Sequence, residues 1–277
     1  MTARPPRAPA DTGSFDLYVG IDYSGAATAE TPLPGLQVYA AFPGALPQPV
    51  TPPDAAGKSR HWSRRGLALW LAERVAAGQR LLVGMDHGFS FPRTYFDRYG
   101  LEDWPDFLDD FIRHWPTHEV DCRVEQIRDG SWWQAHPRPS GERVGSARDY
   151  RLCERWTSSA KSVFHFDVQG SVAKSTHAGL PWLRECRAAA AGSLQVWPFD
   201  GWAAIPGTSL IAEVYPSIFR NRYPREGRTA DAQDAYAVAR WLEETQHLGT
   251  LGHYLSPPLN AAAKAQAALE GWILGIT

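Results

Sequence analysis

Three short apolar runs, each with a carboxylate at or near its end, constrain the fold of this chain more than any other feature. The runs and their acids are residues 15–22 with Asp22, residues 81–86 with Asp86, and residues 210–215 with Glu213. Runs of this length that are rich in β-forming residues are typical of strands, and a nearly continuous apolar run suits a central strand buried on both faces. The three runs therefore predict a sheet whose strand ends bear acidic side chains.

Helical patterns separate and follow these runs. Residues 62–78 place apolar side chains at helical spacing and predict a helix. Residues 229–246 predict a second helix, with Thr229 as its N-cap. A last helix is predicted over roughly residues 260–270, and residues 35–42 predict a strand that is the hairpin partner of the first run. Strands that alternate with helices indicate an α/β fold.

The chain is predicted to form one domain. Its 277 residues suit one large domain, or one domain with an insertion. Residues 1–14 have no apolar periodicity and predict a disordered tail, which leaves residues 15–277 for the domain. We interpret the stretch at about 93–190 as a helical and irregular insertion over the core sheet.

Composition and charge argue against several classes of protein. A net charge of −2 does not suit a protein that coats nucleic acid by bulk electrostatics, although it is compatible with a local basic track. Three cysteines without a Cys-x-x-Cys pair do not suit a disulfide framework or a structural zinc site. The N-terminus lacks the apolar region of a signal peptide, and no stretch of about 18 apolar residues predicts a membrane span. We therefore expect a cytoplasmic protein with no membrane partner.

Asp231 and Asp234 add two acids to the three at the strand ends. Their i, i+3 spacing puts both on one face of the predicted helix, where like charges repel unless a cation or base lies opposite. Clustered carboxylates are costly unless something compensates them, and Mg²⁺ and Mn²⁺ prefer such oxygen ligands. Taken singly, each acid also fits an ordinary role, such as a strand end, a turn cap or a favourable charge at a helix N-terminus. The combination favours a metal site.

The segments around these acids resemble a known family. They read Val-Gly-Ile-Asp22-Tyr-Ser-Gly, Val-Gly-Met-Asp86-His-Gly-Phe, Ile-Ala-Glu213-Val-Tyr-Pro-Ser and Asp231-Ala-Gln-Asp234-Ala-Tyr-Ala. With the stretch from Val168 to Trp182 and the ending Glu270-Gly-Trp-Ile, they are similar to domain-of-unknown-function family 429, the predicted nucleases of the ribonuclease H-like superfamily. The resemblance covers about residues 15 to 275. It implies a mixed sheet whose first three strands are antiparallel, flanked by helices.

The same resemblance implies that the acids hold two Mg²⁺ or Mn²⁺ ions for phosphodiester hydrolysis of nucleic acid. Asp22 would be the bridging carboxylate, Asp86 and Glu213 the strand ligands, and Asp231 or Asp234 the helix ligand. Two such ions about 4 Å apart can activate a water and stabilise the leaving oxygen of an in-line displacement. No side-chain nucleophile is then required.

Further candidates concern substrate contacts and proton transfer. Lys174, His87 or His177 could act as acid, base or phosphate contact, although an ordinary surface or hydrogen-bonded role also fits each of them. Residues 169–176 superficially suggest a phosphate loop but lack its glycine spacing. We interpret them as a loop near the site, with Ser171 as a substrate contact, and a plain structural loop is the alternative.

The basic, tryptophan-bearing segment 123–161 suggests a contact with single-stranded nucleic acid. Bases can stack on its aromatic rings while phosphates lie on its arginines, among which Arg148 and Arg151 are the predicted substrate contacts. The alternative is a solvated helix with buried tryptophans.

Two rival functions are compatible with parts of this pattern. One is a non-catalytic module that binds nucleic acid or nucleotide, or regulates, on the same fold. The other is an ATP-using phosphotransferase, which would need two glycine-rich phosphate loops on paired lobes, and we find no second lobe. The retained acids favour a metal-dependent nuclease over a non-catalytic module.

Overall fold

The computed structural model describes residues 13–53, 59–157, 159–190 and 192–277. Positions 1–12 of the predicted disordered tail lie outside these described residues. The strands are β1 Leu17–Asp22, β2 Gln37–Ala41, β3 Gln48–Pro49, β4 Leu81–Asp86, β5 Leu194–Trp197 and β6 Ser209–Glu213. They form one six-stranded mixed sheet in the order β3-β2-β1-β4-β6-β5.

Helices flank this sheet, so the predicted α/β class is confirmed. They are α1 Arg64–Ala76, α2 Arg93–Tyr99, α3 Trp104–His114, α4 Val124–Arg128, α5 Leu152–Trp156, α6 Ala173–Ala189, α7 Ala230–His247, α8 Leu251–Tyr254 and α9 Ala261–Glu270. Among the helices that the structure describes, none is both long enough and apolar enough to span a bilayer.

The direction of the strands decides where their acidic ends lie. β1, β2 and β3 form an antiparallel meander, and this confirms the predicted hairpin between the first two. β4, β6 and β5 run parallel to β1 and to one another. The carboxyl ends of β1, β4 and β6 therefore meet at one edge of the sheet, which is where ligands bind in many α/β folds.

Alternate strand residues supply two different hydrophobic cores. Val19 and Val83 face a layer that contains α1 and α6, whereas Tyr18 and Leu82 face a layer that contains α7. This period of two is the expected consequence of strand geometry. It fixes which side of the sheet each strand-end acid addresses.

Helix α7 begins where the sequence predicts. The Thr229 side chain is its N-cap, and its Oγ1 accepts a hydrogen bond from the Ala232 N–H at 3.2 Å. The cap satisfies one of the amide groups that the first turn of a helix leaves free. It therefore fixes the start of the helix just before Asp231.

Helix α6 corrects the interpretation of residues 169–176 as a loop. The helix begins at Ala173 and continues through Pro181, so only the first part of that stretch is irregular. A proline inside a helix frees the carbonyl four residues earlier, here that of His177. The Thr117 hydroxyl donates to that carbonyl at 2.7 Å, which compensates the lost bond from outside the helix.

Candidate functional site

Asp22 and Asp86 lie side by side at the edge of the sheet. They are partners in the register of parallel strands β1 and β4 and are the last residue of each strand. Paired residues of neighbouring parallel strands point to the same face, so both carboxylates lie on the side of Gly20 and Gly84. That side faces α7.

Two glycines allow α7 to approach this face closely. A Cβ on Gly20 would lie 2.1 Å from the Ala235 carbonyl oxygen, and one on Gly84 would lie 2.5 Å from Val238 Cγ1. From Gly20 to Asp22 the strand advances by about 6.6 Å, and from Ala235 back to Asp231 the helix covers about 6 Å. The first turn of α7 therefore lies level with the strand ends.

The electrostatics of the acids reflect this convergence. Burial and the neighbouring charges of Asp86, Asp231 and Asp234 raise the pKa of Asp22 to about 9. Burial, Asp234 and Glu213 raise the pKa of Asp86 to about 8, although Arg220 opposes the shift. Burial also raises the pKa of Asp234. The negative charges of four acids from three elements therefore interact, and Glu213 contributes to the shift at Asp86. A cation between these carboxylates would lower their pKa values again.

Two carboxylate oxygens of this cluster are buried and lack a hydrogen-bond partner among the residues described. They are Oδ1 of Asp86 and Oδ1 of Asp234. The other oxygen of Asp234, Oδ2, accepts a hydrogen bond from Arg220 Nη1 at 3.2 Å. A buried polar atom without a partner is costly, and at a cluster of acids it indicates a place for a cation or an ordered water.

Glu213 occupies a different position from the other acids. It pairs with Met85 in the sheet, so the register turns its side chain to the face opposite Asp86. Its two oxygens accept hydrogen bonds from Arg151, Nη1 to Oε2 at 2.7 Å and Nη2 to Oε1 at 2.5 Å, and Oε2 also accepts one from the Phe89 N–H at 2.9 Å. The Glu213 carboxylate is therefore already neutralised and hydrogen-bonded within the protein.

Arg151, predicted as a surface contact, is instead a buried partner of this ion pair. It is 1% exposed, and its Nε also donates to Glu154 Oε1 at 2.9 Å. Arg148, predicted with it, is exposed. The two arginines therefore do not form one surface track, because the backbone enters α5 at Arg151 and carries its side chain inward.

The atoms of these acids are suitable ligands for a divalent cation, but the side chains are not arranged around a common point. The carboxylates of Asp22, Asp86 and Asp234 supply only oxygen atoms, which are the ligands that Mg²⁺ and Mn²⁺ prefer. Over the described ranges, no three His, Cys, Asp or Glu side chains are arranged so that they could hold a metal ion as they stand. Binding an ion here would require side-chain rotation, although Asp234 could contribute its unpartnered Oδ1 while Oδ2 keeps its bond to Arg220.

The predicted contacts on α6 and just before it lie in different surroundings. Lys174 forms an ion pair with Glu125 rather than with the strand-end acids. Ser171 is partly exposed just before the helix, where its Oγ accepts a hydrogen bond from the Ala173 N–H at 3.1 Å. His177 is 1% exposed and lies among aromatic rings. The structure therefore does not gather these three side chains with the acids.

His87 follows Asp86 directly but is enclosed. It is 1% exposed, its Nδ1–H donates to the Gly88 carbonyl at 2.8 Å, and burial lowers its pKa to about 4. The ring packs edge-on against Tyr23, with centroids 4.6 Å apart. Its Nε2 is buried without a partner among the described residues. His87 is thus a neutral ring behind the acids rather than a charged contact for phosphate.

Sequence reasoning missed three polar side chains at this edge of the sheet. Arg220 bonds Asp234, and Lys161 and Tyr215 line a small cleft together with Asp86 and Glu213. Arg220 and Tyr215 come from the segment that follows β6, and a polar segment after a central parallel strand was the available signal. Lys161 is the last residue of the basic segment 123–161, for which the sequence predicted a contact with nucleic acid without singling out this side chain.

Comparison with known proteins identified no relative of this chain. No family model matches the chain, and neither a curated protein nor a solved structure matches it.

Proposed function

We propose that this protein is a divalent-metal-dependent phosphodiester hydrolase that acts on nucleic acid, built on a ribonuclease H-like fold. The observation that carries the proposal is the pairing of Asp22 with Asp86 at the ends of two central parallel strands, where the pKa values of both carboxyls are raised to about 9 and about 8. The sheet supports the fold assignment, because an antiparallel meander of the first three strands continues into parallel strands flanked by helices.

Asp22, Asp86 and Asp234 would hold the ions, and Asp231 would complete the set from the first turn of α7. When bound, two divalent ions would supply an activated water and stabilisation of the leaving oxygen. Asp22 is central, because the charges of Asp86, Asp231 and Asp234 all raise its pKa. Glu213 is proposed as an anchor rather than a ligand, since Arg151 and the Phe89 amide already use both of its oxygens.

Arg220 and Lys161 are the basic side chains best placed to meet a phosphate. Arg220 now pairs with Asp234 at 3.2 Å, and this pair is partly exposed, so its net stabilisation is small. A cation held by Asp234 would weaken the attraction of this carboxylate for Arg220, and the guanidinium could then donate to a phosphate oxygen. Lys161 is exposed at the mouth of the cleft that Asp86 lines. Both would orient the substrate and neutralise its charge.

A cleavage assay tests the proposal. The purified protein is incubated with single-stranded DNA, single-stranded RNA and bis(p-nitrophenyl) phosphate, with Mn²⁺ or with EDTA. We expect cleavage only with Mn²⁺, loss of at least about 100-fold in Asp86→Asn, and full activity in the control Asp97→Asn, whose side chain is exposed and pairs with Arg93. Equal cleavage by wild type and Asp86→Asn, or none by wild type on any substrate, would refute it.

A further inference from the structure

A second concavity opens within the segment between β4 and β5. Its volume is about 300 Å³, at the lower end of the range typical of small-molecule sites. None of the five strand-end and helix acids lines it. Its walls carry six aromatic rings from separate parts of the chain, which are those of Phe91, Tyr95, Trp115, Trp133, Phe164 and Phe166. Such walls suit a flat aromatic ligand, because aromatic rings pack favourably against one another both by their faces and by their edges.

Two side chains that line the cavity carry hydrogen-bonding atoms that the described residues do not use. Tyr95 is 2% exposed, and its hydroxyl is buried without a partner among the described residues. His177 lines the same cavity, and its Nδ1–H donates to the Ala173 carbonyl at 2.8 Å. Burial lowers the pKa of His177 to about 3, so the ring is neutral and its Nε2 is an acceptor. One donor and one acceptor thus belong to side chains of this aromatic enclosure.

Basic side chains stand at the rim of this enclosure. The Arg128 side chain is 38% exposed and lies over the Phe166 ring at 4.3 Å, and the Arg138 side chain is 57% exposed. Their acidic partners, Asp167 at 3.2 Å and Glu142 at 3.6 Å, form exposed pairs that stabilise the protein little. A phosphate at the rim can therefore displace either partner at small cost.

We propose that this cavity binds a single nucleotide, with its base between the aromatic walls and its phosphate at Arg128 and Arg138. The edge of a base has both donors and acceptors, which can form hydrogen bonds with the Tyr95 hydroxyl and His177 Nε2. The apolar walls alone would not favour a ligand with such polar groups. The choice of a nucleotide over other planar aromatic anions rests on the proposed function. The binding itself needs no cation and no strand-end acid.

Nucleotide binding can be measured without catalysis. Adenosine, guanosine, cytidine and uridine 5′-monophosphates are titrated into the full-length protein in EDTA, and binding is followed by calorimetry and by quenching of tryptophan fluorescence. We expect saturable binding that Tyr95→Phe weakens about three- to tenfold, since one hydrogen bond is lost and the ring stays. The matched control Tyr254→Phe, which lies in the other core, should bind as wild type. Trp133→Ala should weaken binding at least about fivefold through lost stacking.

Other arms of the experiment identify what the cavity recognises. Ribose 5-phosphate should bind much more weakly than any nucleotide, and so should free tryptophan, which has a ring but no phosphate. A short single-stranded oligonucleotide tests whether a nucleotide within a strand enters as readily as a free one, and saturable binding of either form at this site supports the proposal. No saturable binding of any nucleotide at millimolar concentration overturns it, as does equal affinity for ribose 5-phosphate or for tryptophan.

The two proposals can fail separately. Asp22→Asn should bind mononucleotides as wild type does, because none of the acids lines the cavity. If no nucleic acid is cut while mononucleotides bind and Tyr95→Phe weakens them, only the hydrolase proposal is refuted. If Mn²⁺-dependent cleavage occurs while no nucleotide binds in EDTA, only the cavity proposal is refuted.

Discussion

Arg151 and Glu213 form a bidentate ion pair in the interior, with side chains that are 1% and 4% exposed. The pair joins the start of α5 to the end of β6, and the Phe89 amide ties the segment after β4 to the same carboxylate. The segments that end β6 and follow β4 are thus tied together at one carboxylate. This gives Glu213 a structural reason to be acidic that does not depend on a metal.

Removing Arg151 should destabilise the protein strongly. Arg151→Met leaves the Glu213 charge buried without its partner, which costs about 3–5 kcal/mol in comparable cases. The double variant Arg151→Met/Glu213→Gln should regain part of that loss, because the charge is then gone. Urea denaturation measures both, and Arg148→Met serves as the exposed control. A loss of less than about 1 kcal/mol in Arg151→Met would contradict the buried pair.

The acidic cluster should make stability depend on pH when no divalent ion is present. The pKa of Asp22 is raised from 3.8 to about 9 and that of Asp86 from 3.8 to about 8. The folded protein therefore holds protons that the unfolded chain releases, so the free energy of unfolding is highest below about pH 4 for these groups and falls as the pH rises to about 9. Other titrating groups also change the free energy of unfolding with pH, so the contribution of one carboxyl is measured by comparing wild type with a variant that lacks it.

Asp22→Asn isolates this contribution. Urea unfolding is measured in EDTA at about pH 5 and at about pH 8.5. Between these two pH values the free energy of unfolding should fall less for Asp22→Asn than for wild type, and the variant should be the more stable protein at the higher pH. Asp97→Asn should follow wild type. An identical pH slope in wild type and Asp22→Asn would mean that the Asp22 carboxyl does not titrate in this range.

A side chain at Gly20 should displace α7 from the sheet. In Gly20→Ala the new Cβ would lie 2.1 Å from the Ala235 carbonyl oxygen and 2.5 Å from the Ala239 nitrogen, and both are backbone atoms that cannot rotate away. We expect a loss of about 1–3 kcal/mol in the free energy of unfolding, as in other overpacked cores. Gly66→Ala on α1, which would meet only the Ser63 hydroxyl at 3.1 Å, should change stability little. Equal stability of both variants would contradict the close approach.

The Thr117 hydroxyl should contribute to the stability of α6. Thr117→Val keeps the shape of the side chain but leaves the buried His177 carbonyl without the partner that replaces the bond lost at Pro181. An unpaired buried carbonyl costs about 1–3 kcal/mol. Thr208→Val removes a comparable bond to the Ile205 carbonyl at an exposed position and should cost much less. Thermal unfolding of the two variants decides the matter.

The sequence predicted the central strands and α7 because their signals are local. The apolar run that ends at Asp86 and the cap at Thr229 each involve neighbours in the chain. Helix α6 was missed because Pro181 is a local signal for a helix break, whereas the compensating Thr117 hydroxyl is 60 residues away. The different role of Glu213 depends on the register of β6 against β4, which shifts its side chain to the other face and which no single segment encodes.

Binding of Mn²⁺ tests the central claim, that Asp22 and Asp86 form part of a divalent-cation site, more directly than any other measurement. Calorimetric titration of the metal-free protein should give saturable binding in wild type, with proton release at about pH 7 because the raised pKa values fall on cation binding. The variant Asp22→Asn/Asp86→Asn should lose both the heat and the proton release, while Asp97→Asn keeps them. Wild type that binds no more Mn²⁺ than the double variant would contradict the account.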